Sequence, residues 1–317
     1  MDETKWWMKL NSPHARVTDI DVGIIGVPYD GSVTHESGAA LAPHVLREIS
    51  ADRWPLTENG VNLEQLRVRD FGDVPVNNDD PCYTLESVTK AVSPLVESDV
   101  IPVVLGGDHS VTSAAVKAFH KSRKSMGILW MDSHPDVMDT YKGLKGKRES
   151  KWNHACALRR ILEFPHINPE NVLVFGMRDF TPPEFQFIKE NSIDVVYAQD
   201  LHRMDVTTAG ERIGQKFADV PVYISYDIDI LDPAHAPGTG APVPGGISSR
   251  FLFDILFYIF EREREFLKES THFLEVAGVD IMEISPPQDV GQITSCIGIS
   301  IIMNMLGYIC LQKGLVQ

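Results

Sequence analysis

Apolar residues recur along this chain in two alternating rhythms. Ile101-Pro102-Val103-Val104-Leu105, Gly127-Ile128-Leu129-Trp130-Met131 and Pro221-Val222-Tyr223-Ile224 are short apolar runs bounded by glycine or proline. Such runs mark strands buried on both faces of a parallel sheet. Similar runs predict further strands over 19–27, 66–71, 171–175, 193–196 and 273–281. Between them the spacing turns helical over 43–49, 83–96, 110–120, 155–162, 183–190, 208–217, 249–266 and 293–311. Pro43 fits the first turn of its helix. The alternation predicts an α/β fold with a mostly parallel sheet of about eight strands, covered by helices on both faces. One domain over 1–317 is expected, with 1–18 as an N-terminal extension. A closed barrel is the alternative architecture. An open sheet is preferred because the polar motifs follow strands that are not consecutive, as at a topological switch point.

Those motifs are crowded with carboxylates and imidazoles. Gly106-Gly107-Asp108-His109-Ser110, Asp132-Ser133-His134-Pro135-Asp136 and Ser225-Tyr226-Asp227-Ile228-Asp229-Ile230-Leu231-Asp232 each follow a predicted strand. In an open α/β sheet the carboxyl ends of the strands are where ligands bind. Alternate positions on extended chain point the same way, so Asp132, His134 and Asp136 share a face, as do Asp227 and Asp229. With His109 they make six candidate metal ligands: His109, Asp132, His134, Asp136, Asp227 and Asp229. Carboxylates gathered so closely repel one another unless cations neutralise them. Two metals about 3.5–4 Å apart, sharing carboxylates, would employ all six. Mixed imidazole and carboxylate donors suit Mn²⁺, with Zn²⁺, Co²⁺ and Ni²⁺ as competitors, and disfavour Ca²⁺. Asp108 and Asp232 are the carboxylates left over; Asp232 precedes Pro233 and reads as a turn or supporting group.

Composition narrows the partners. The chain has 44 acidic and 29 basic residues and a net charge of −15. An acidic surface keeps a protein in solution and argues against a nucleic-acid partner, which needs a basic face. The excess acid also suits metal ions or a cationic substrate. No membrane partner is expected, because the longest apolar stretch, 297–311, is short of the ~20 residues of a span. Cys82, Cys156, Cys296 and Cys310 are scattered without a paired motif, which fits a reducing cytoplasm. The N-terminus shows no secretory pattern. Trp6 and Trp7 either lie in a subunit interface or cover the domain's own core.

The three blocks resemble the signature segments of the ureohydrolase family, the arginases, agmatinases and related amidinohydrolases. Gly26-Val27-Pro28-Tyr29-Asp30-Gly31, Ser37-Gly38-Ala39, Phe175-Gly176-Met177-Arg178 and Asp280-Ile281-Met282-Glu283 add to the likeness, which runs from about residue 20 to 312. The resemblance implies a three-layer α/β/α fold, a binuclear manganese site and a homo-oligomer, trimer or hexamer. It places His109, Asp132, Asp136 and Asp229 on one metal, and Asp132, His134, Asp227 and Asp229 on the other. It makes Glu283 the carboxylate that binds the substrate guanidinium and His154 a proton shuttle, although Ala155 stands where the family has glycine. Asp136 would pass a proton to the leaving amine.

The implied reaction is hydrolysis of a guanidino C–N bond with release of urea. Residues 31–38 and Tyr141 resemble agmatinase-like members. Against this, Lys142, Lys145, Lys147, Arg148 and Lys151 form a basic loop. Facing the pocket, that loop would attract a carboxylate-bearing substrate and repel a diamine-like one. An agmatinase-like activity is therefore expected first. A guanidino-acid hydrolase, a formiminoglutamase and an arginase are the alternatives within the same chemistry. A metal-binding relative without catalysis is the alternative of another class.

Overall fold

The computed structural model of the chain describes residues 2–144 and 149–316. In chain order the strands are β1 (Val22–Gly26), β2 (Val68–Asp73), β3 (Ile101–Leu105), β4 (Met126–Met131), β5 (Tyr141–Lys142), β6 (Glu149–Ser150), β7 (Ile167–Met177), β8 (Asp194–Tyr197), β9 (Val222–Asp227) and β10 (Val276–Met282). The helices are α1 (Ala42–Ala51), α2 (Pro81–Glu97), α3 (Ser110–Lys117), α4 (Ala157–Ile161), α5 (Pro182–Glu190), α6 (Ala198–Leu201), α7 (Val206–Phe217), α8 (Ser249–Leu267) and α9 (Ile293–Gln312). Eight strands form one sheet in the order β2-β1-β3-β10-β9-β4-β7-β8. Every pairing in it is parallel. The sheet is open, with β2 and β8 at its edges, so the barrel alternative falls. β5 and β6 form a small antiparallel ladder in the loop after β4, a segment read from sequence as polar loop only.

The strand runs are apolar on both faces because both are covered. In β3, Ile101, Val103 and Leu105 join one core cluster and Val104 the other. In β4, Leu129 and Met131 face one side while Ile128 and Trp130 face the opposite one. The first cluster takes in Leu46 of α1, Ile213 of α7, Ile255 of α8 and Ile302 of α9. The second takes in Val88 of α2, Val111 of α3, Ile161 of α4 and Ile188 of α5. This is the three-layer arrangement expected from the strand–helix alternation.

Local chemistry sets the helix starts. Asp80 accepts from the Tyr83 amide at 3.0 Å and Pro81 opens α2. Ser248 caps α8 through the Phe251 amide at 3.1 Å. α5 begins with Pro182 and a reciprocal capping box between Thr181 and Glu184. α9 ends one residue beyond the 293–311 stretch that the sequence pattern predicts. Its segment Val290–Gln312 is long and apolar enough to cross a membrane, but it packs on α1, α8 and the sheet and is mostly buried. A helix apolar all round is what a buried core position requires.

The N-terminal residues cover the core rather than leaving tryptophan outside. Trp7 is fully buried and its indole donates to Asp70 Oδ2 at 2.7 Å. Asp70 also receives Arg47 of α1, at 2.7 and 2.9 Å, so the edge strand, α1 and the N-terminal segment share one buried ion pair.

The chain approaches itself most closely beside the carboxyl end of β3. A Cβ on Gly107 would stand 1.7 Å from the Tyr29 carbonyl oxygen, where the Asp108 amide already donates to that oxygen at 2.8 Å. Gly107→Ala is therefore expected to cost about 2 kcal/mol or more by forcing the two loops apart. Urea denaturation of the variant against the wild type measures it.

Candidate active site

The four middle strands of the sheet, β3, β10, β9 and β4, end at one place. β9 and β10 are inserted between β3 and β4, so segments far apart in sequence become neighbours at the switch point. His109 stands at the start of α3, just past β3. Asp132, His134 and Asp136 follow β4, Asp227 closes β9, and Asp229 sits in the single turn Ile228–Ile230. Glu283 follows β10. All six predicted ligands converge there.

His109 and Asp132 are fully buried at the centre. His109 Nδ1 lies 2.9 Å from Asp132 Oδ2, 3.2 Å from Asp227 Oδ2 and 3.4 Å from Asp136 Oδ2. His134 Nδ1 lies 3.1 Å from Asp229 Oδ2 and 3.5 Å from Asp132 Oδ1. Two ligand groups result, His109–Asp132–Asp136 and Asp132–His134–Asp229, with Asp132 common to both. Asp229 lies beside His134, one of the two positions expected of it, whereas Asp227, expected on the His134 side, lies beside His109. Asp227 faces His109 and Asp229 faces His134, because one residue of separation in a tight turn carries the second carboxylate toward β4, where Asp229 Oδ1 accepts the Ser133 amide at 3.0 Å.

Close contact here is not hydrogen bonding. His109 Nδ1 and Asp132 Oδ2 are buried and have no partner in hydrogen-bond geometry. Burial alone would drive His109 neutral, but Asp132 and Asp227 outweigh it and hold the imidazole well above its usual value. Burial likewise opposes charge on His134, and Asp229 overrides it. Burial, then the charge of Asp132, holds Asp136 well above the carboxylate range; burial, then Asp229, does the same to Asp227.

Glu283 and His154 form the neighbouring wall. Glu283 Oε1 accepts from the His109 amide and from His154 Nδ1, both at 2.8 Å. Burial opposes both charges, but Glu283 raises His154 to about 9, and His154 lowers Glu283. The Thr34 amide, 3.1 Å from His154 Nε2, pulls the other way, since it needs a lone pair there. Asp136 and Glu283 both hold left-handed backbone, at φ 50° and 62°. Non-glycine residues rarely adopt it, and such positions cluster at functional sites.

A cavity of about 270 Å³ opens onto this cluster, lined by His134, Asp136, His154, Asp227, Asp229 and Glu283. Its lining also takes in Tyr141 of β5 and four residues around the start of α5 that motif reading did not single out, Asp179, Phe180, Thr181 and Glu184. The only sequence signal was the 175–178 match just before them. Lys142 and Lys151 do not line the cavity; Lys151 lies over the Trp152 ring at 4.8 Å. Lys145, Lys147 and Arg148 lie outside the described residues. Asp108 is spent on structure, accepting from Ser32 N at 2.9 Å and Ser32 Oγ at 2.8 Å. Asp232 is a turn group, accepting from the amides of Ala234 at 2.9 Å and Gly245 at 2.7 Å.

Residues 20–307 match the model of the arginase family. The chain belongs to the arginase family. An agmatinase of Bacillus cereus is 31% identical over 92% of this chain and 93% of its own length. A guanidinopropionase of Pseudomonas aeruginosa is 29% identical over 90% of this chain and 86% of its own. The proclavaminate amidinohydrolase structure from Streptomyces clavuligerus superposes with a TM-score of 0.85 at 28% identity, covering 96% of this chain and 97% of that one. The chain is thus an arginase-family amidinohydrolase, with agmatinase-like members among its relatives.

The arginase family depends on a pair of metal ions, and this chain's donor set fits one. Its orphaned imidazole nitrogen and carboxylate oxygen, turned toward each other in a buried site, are what shared ions would satisfy. The protons the cluster holds without metal must leave when metal enters. Metal affinity is therefore expected to rise with pH, with proton release on binding, read by calorimetry in buffers of different ionisation enthalpy. Asp136→Asn replaces a carboxyl that burial forces to hold a proton and puts an amide where left-handed backbone favours asparagine. That variant should raise metal-free stability by about 1 kcal/mol while weakening metal binding, as melting in chelator and in excess Mn²⁺ will show.

Proposed function

We propose that the chain is a two-metal amidinohydrolase of agmatinase type. It would release urea from a guanidino compound whose far end is cationic or neutral rather than anionic. The supporting observation is the charge of the cavity wall. Once Asp136, Asp227 and Asp229 are assigned to metals and Glu283 to the guanidinium, Asp179 and Glu184 remain in the lining. Among the described residues no lysine or arginine lines the cavity. With His134 and His154 already facing Asp229 and Glu283, a substrate carboxylate would meet like charge, whereas an ammonium would be drawn in. Tyr141 and Phe180, each partly exposed, offer faces to a methylene chain.

His109, Asp132, Asp136 and Asp227 would hold one ion, and Asp132, His134 and Asp229 the other. Bound there, a divalent pair supplies the positive charge that makes water a nucleophile at neutral pH. The mixed donor set favours Mn²⁺. Glu283 receives the guanidinium. Its Oε1 is engaged by His109 and His154, and no hydrogen bond falls on Oε2 among the described residues, so that oxygen can pair with substrate N–H groups. This holds the guanidinium carbon beside the ligand cluster, and orientation accounts for much of the rate. Asp136 lines the cavity and carries a proton to the leaving amine. His154, hydrogen-bonded to Glu283 and Thr34, is placed to exchange with solvent the proton that the nucleophilic water releases.

Urea release by Mn²⁺-loaded protein from agmatine, 4-guanidinobutyrate, 3-guanidinopropionate, arginine and formiminoglutamate tests the reading. Agmatine is expected to exceed the guanidino acids by about 10-fold or more in kcat/KM. The reverse order overturns the proposed tail preference. No turnover of any of them overturns the enzyme reading in favour of a non-catalytic relative. Glu283→Gln should retain metal and lose about 100-fold in kcat/KM, because the charge facing the guanidinium is gone.

A further inference from the structure

Asp280 is a fully buried carboxylate that the proposed chemistry does not use. It lies on β10, one turn of chain before Glu283, and faces three hydroxyls. Ser225 Oγ donates to Oδ1 at 2.7 Å. Thr112 Oγ1 and Tyr223 OH donate to Oδ2 at 2.8 and 2.9 Å. Burial pushes the carboxyl up to about 6 against those donors, which leaves it an anion at neutral pH.

An ionised carboxylate only accepts. The Ser225 proton is therefore committed to Asp280, and the Ser225 oxygen has only lone pairs left to offer. What it meets is His109 Nε2, 2.8 Å away. Nε2 must then be the donor. Nδ1 is consequently the nitrogen left with a lone pair for a metal, and it is the one turned toward Asp132, Asp136 and Asp227. Stacking on Trp130 at 3.9 Å and 5° holds the plane of the ring, and the contact between Nε2 and Ser225 selects the edge that faces the carboxylates.

We propose that Asp280 is a positioning residue acting through Ser225: it fixes the tautomer of His109 and so sets the affinity of the metal position that His109 serves. The inference rests on the two-metal reading. It assigns the carboxylate that usually touches a metal-ligating histidine to a place one hydroxyl further away. Asp280→Asn reverses the direction. An amide donor facing Ser225 turns that hydroxyl's proton toward Nε2, which leaves the remaining proton on Nδ1, where metal must bind.

Titration with Mn²⁺ alone, followed by calorimetry and by counting free ion with electron paramagnetic resonance, provides the test. Wild-type protein should bind two ions. Asp280→Asn and Ser225→Ala should each bind one ion as before and the other about 10- to 100-fold more weakly. Tyr223→Phe, which removes a donor to Asp280 but nothing on the path to His109, should bind both within about twofold of the wild type. Should Asp280→Asn fail to fold, Ser225→Ala carries the test, since Asp280 keeps two of its donors. Two unchanged affinities in either folded variant overturn the proposal. So does a loss in Tyr223→Phe equal to that in Asp280→Asn, since the carboxylate would then merely hold the core together. A wild-type protein that binds fewer than two ions fails the two-metal reading itself, a result distinct from failure of the relay.

Discussion

Everything at the site depends on packing several carboxylates and two imidazoles into a largely buried place. In that setting each negative charge is costly unless a positive one stands beside it. The protein without metal answers with protons, held on His109 and His134 by their acidic neighbours and on Asp136 and Asp227 by burial. Divalent ions answer the same need more completely, because one ion satisfies several donors that cannot hydrogen-bond to each other. The unpartnered His109 Nδ1 and Asp132 Oδ2 are the visible residue of that design. Stability and function are set against each other here, which is why the cluster sits in the best-supported part of the sheet.

That support comes from strand order. β9 and β10 run between β3 and β4, flanked on both sides and covered on both faces. Their ends cannot fray, so the loops that follow are anchored at one end by a rigid sheet. Arg178 anchors the β9 loop from the other side, donating to the Val243 carbonyl at 2.8 Å and to the Asp229 carbonyl at 2.5 Å. Asp108 ties the loop after β1 to the end of β3, and Asn153 donates to Ser32 O at 2.7 Å, so Thr34 is held against His154. The hydrogen bonds that look peripheral to the chemistry thus fix the walls of the cavity.

Much of this was legible in the chain. All eight long strands and their helices were readable because burial on both sheet faces leaves continuous apolar runs, and because caps such as Asp80–Pro81 and Thr181–Pro182 punctuate them. The ligand types were legible because alternate positions past a strand end share a direction. What the pattern did not settle was local. Asn304, which interrupts the apolar run of α9, does not interrupt the helix, because its amide donates to the Ser300 carbonyl at 2.8 Å. The short β5–β6 ladder and α6 carry too few residues to show a period. The basic loop pointed to an anionic substrate only if it faces the pocket, and of its described members neither Lys142 nor Lys151 lines the cavity.

The sequence by itself determined the class of fold, the donor atoms and the family, because each is written in residue type and short-range spacing. It also carried Glu283 and His154, through resemblance. Only the tertiary structure decided which β9 carboxylate faces which imidazole, that Asp108 and Asp232 are spent on loops, and that Asp179 and Glu184 make the cavity lining acidic. It alone brought Asp280 beneath His109. The reason is physical: a strand's own sequence fixes which way its side chains alternate, but strand order fixes whose side chains they meet, and order is settled by how the whole sheet packs.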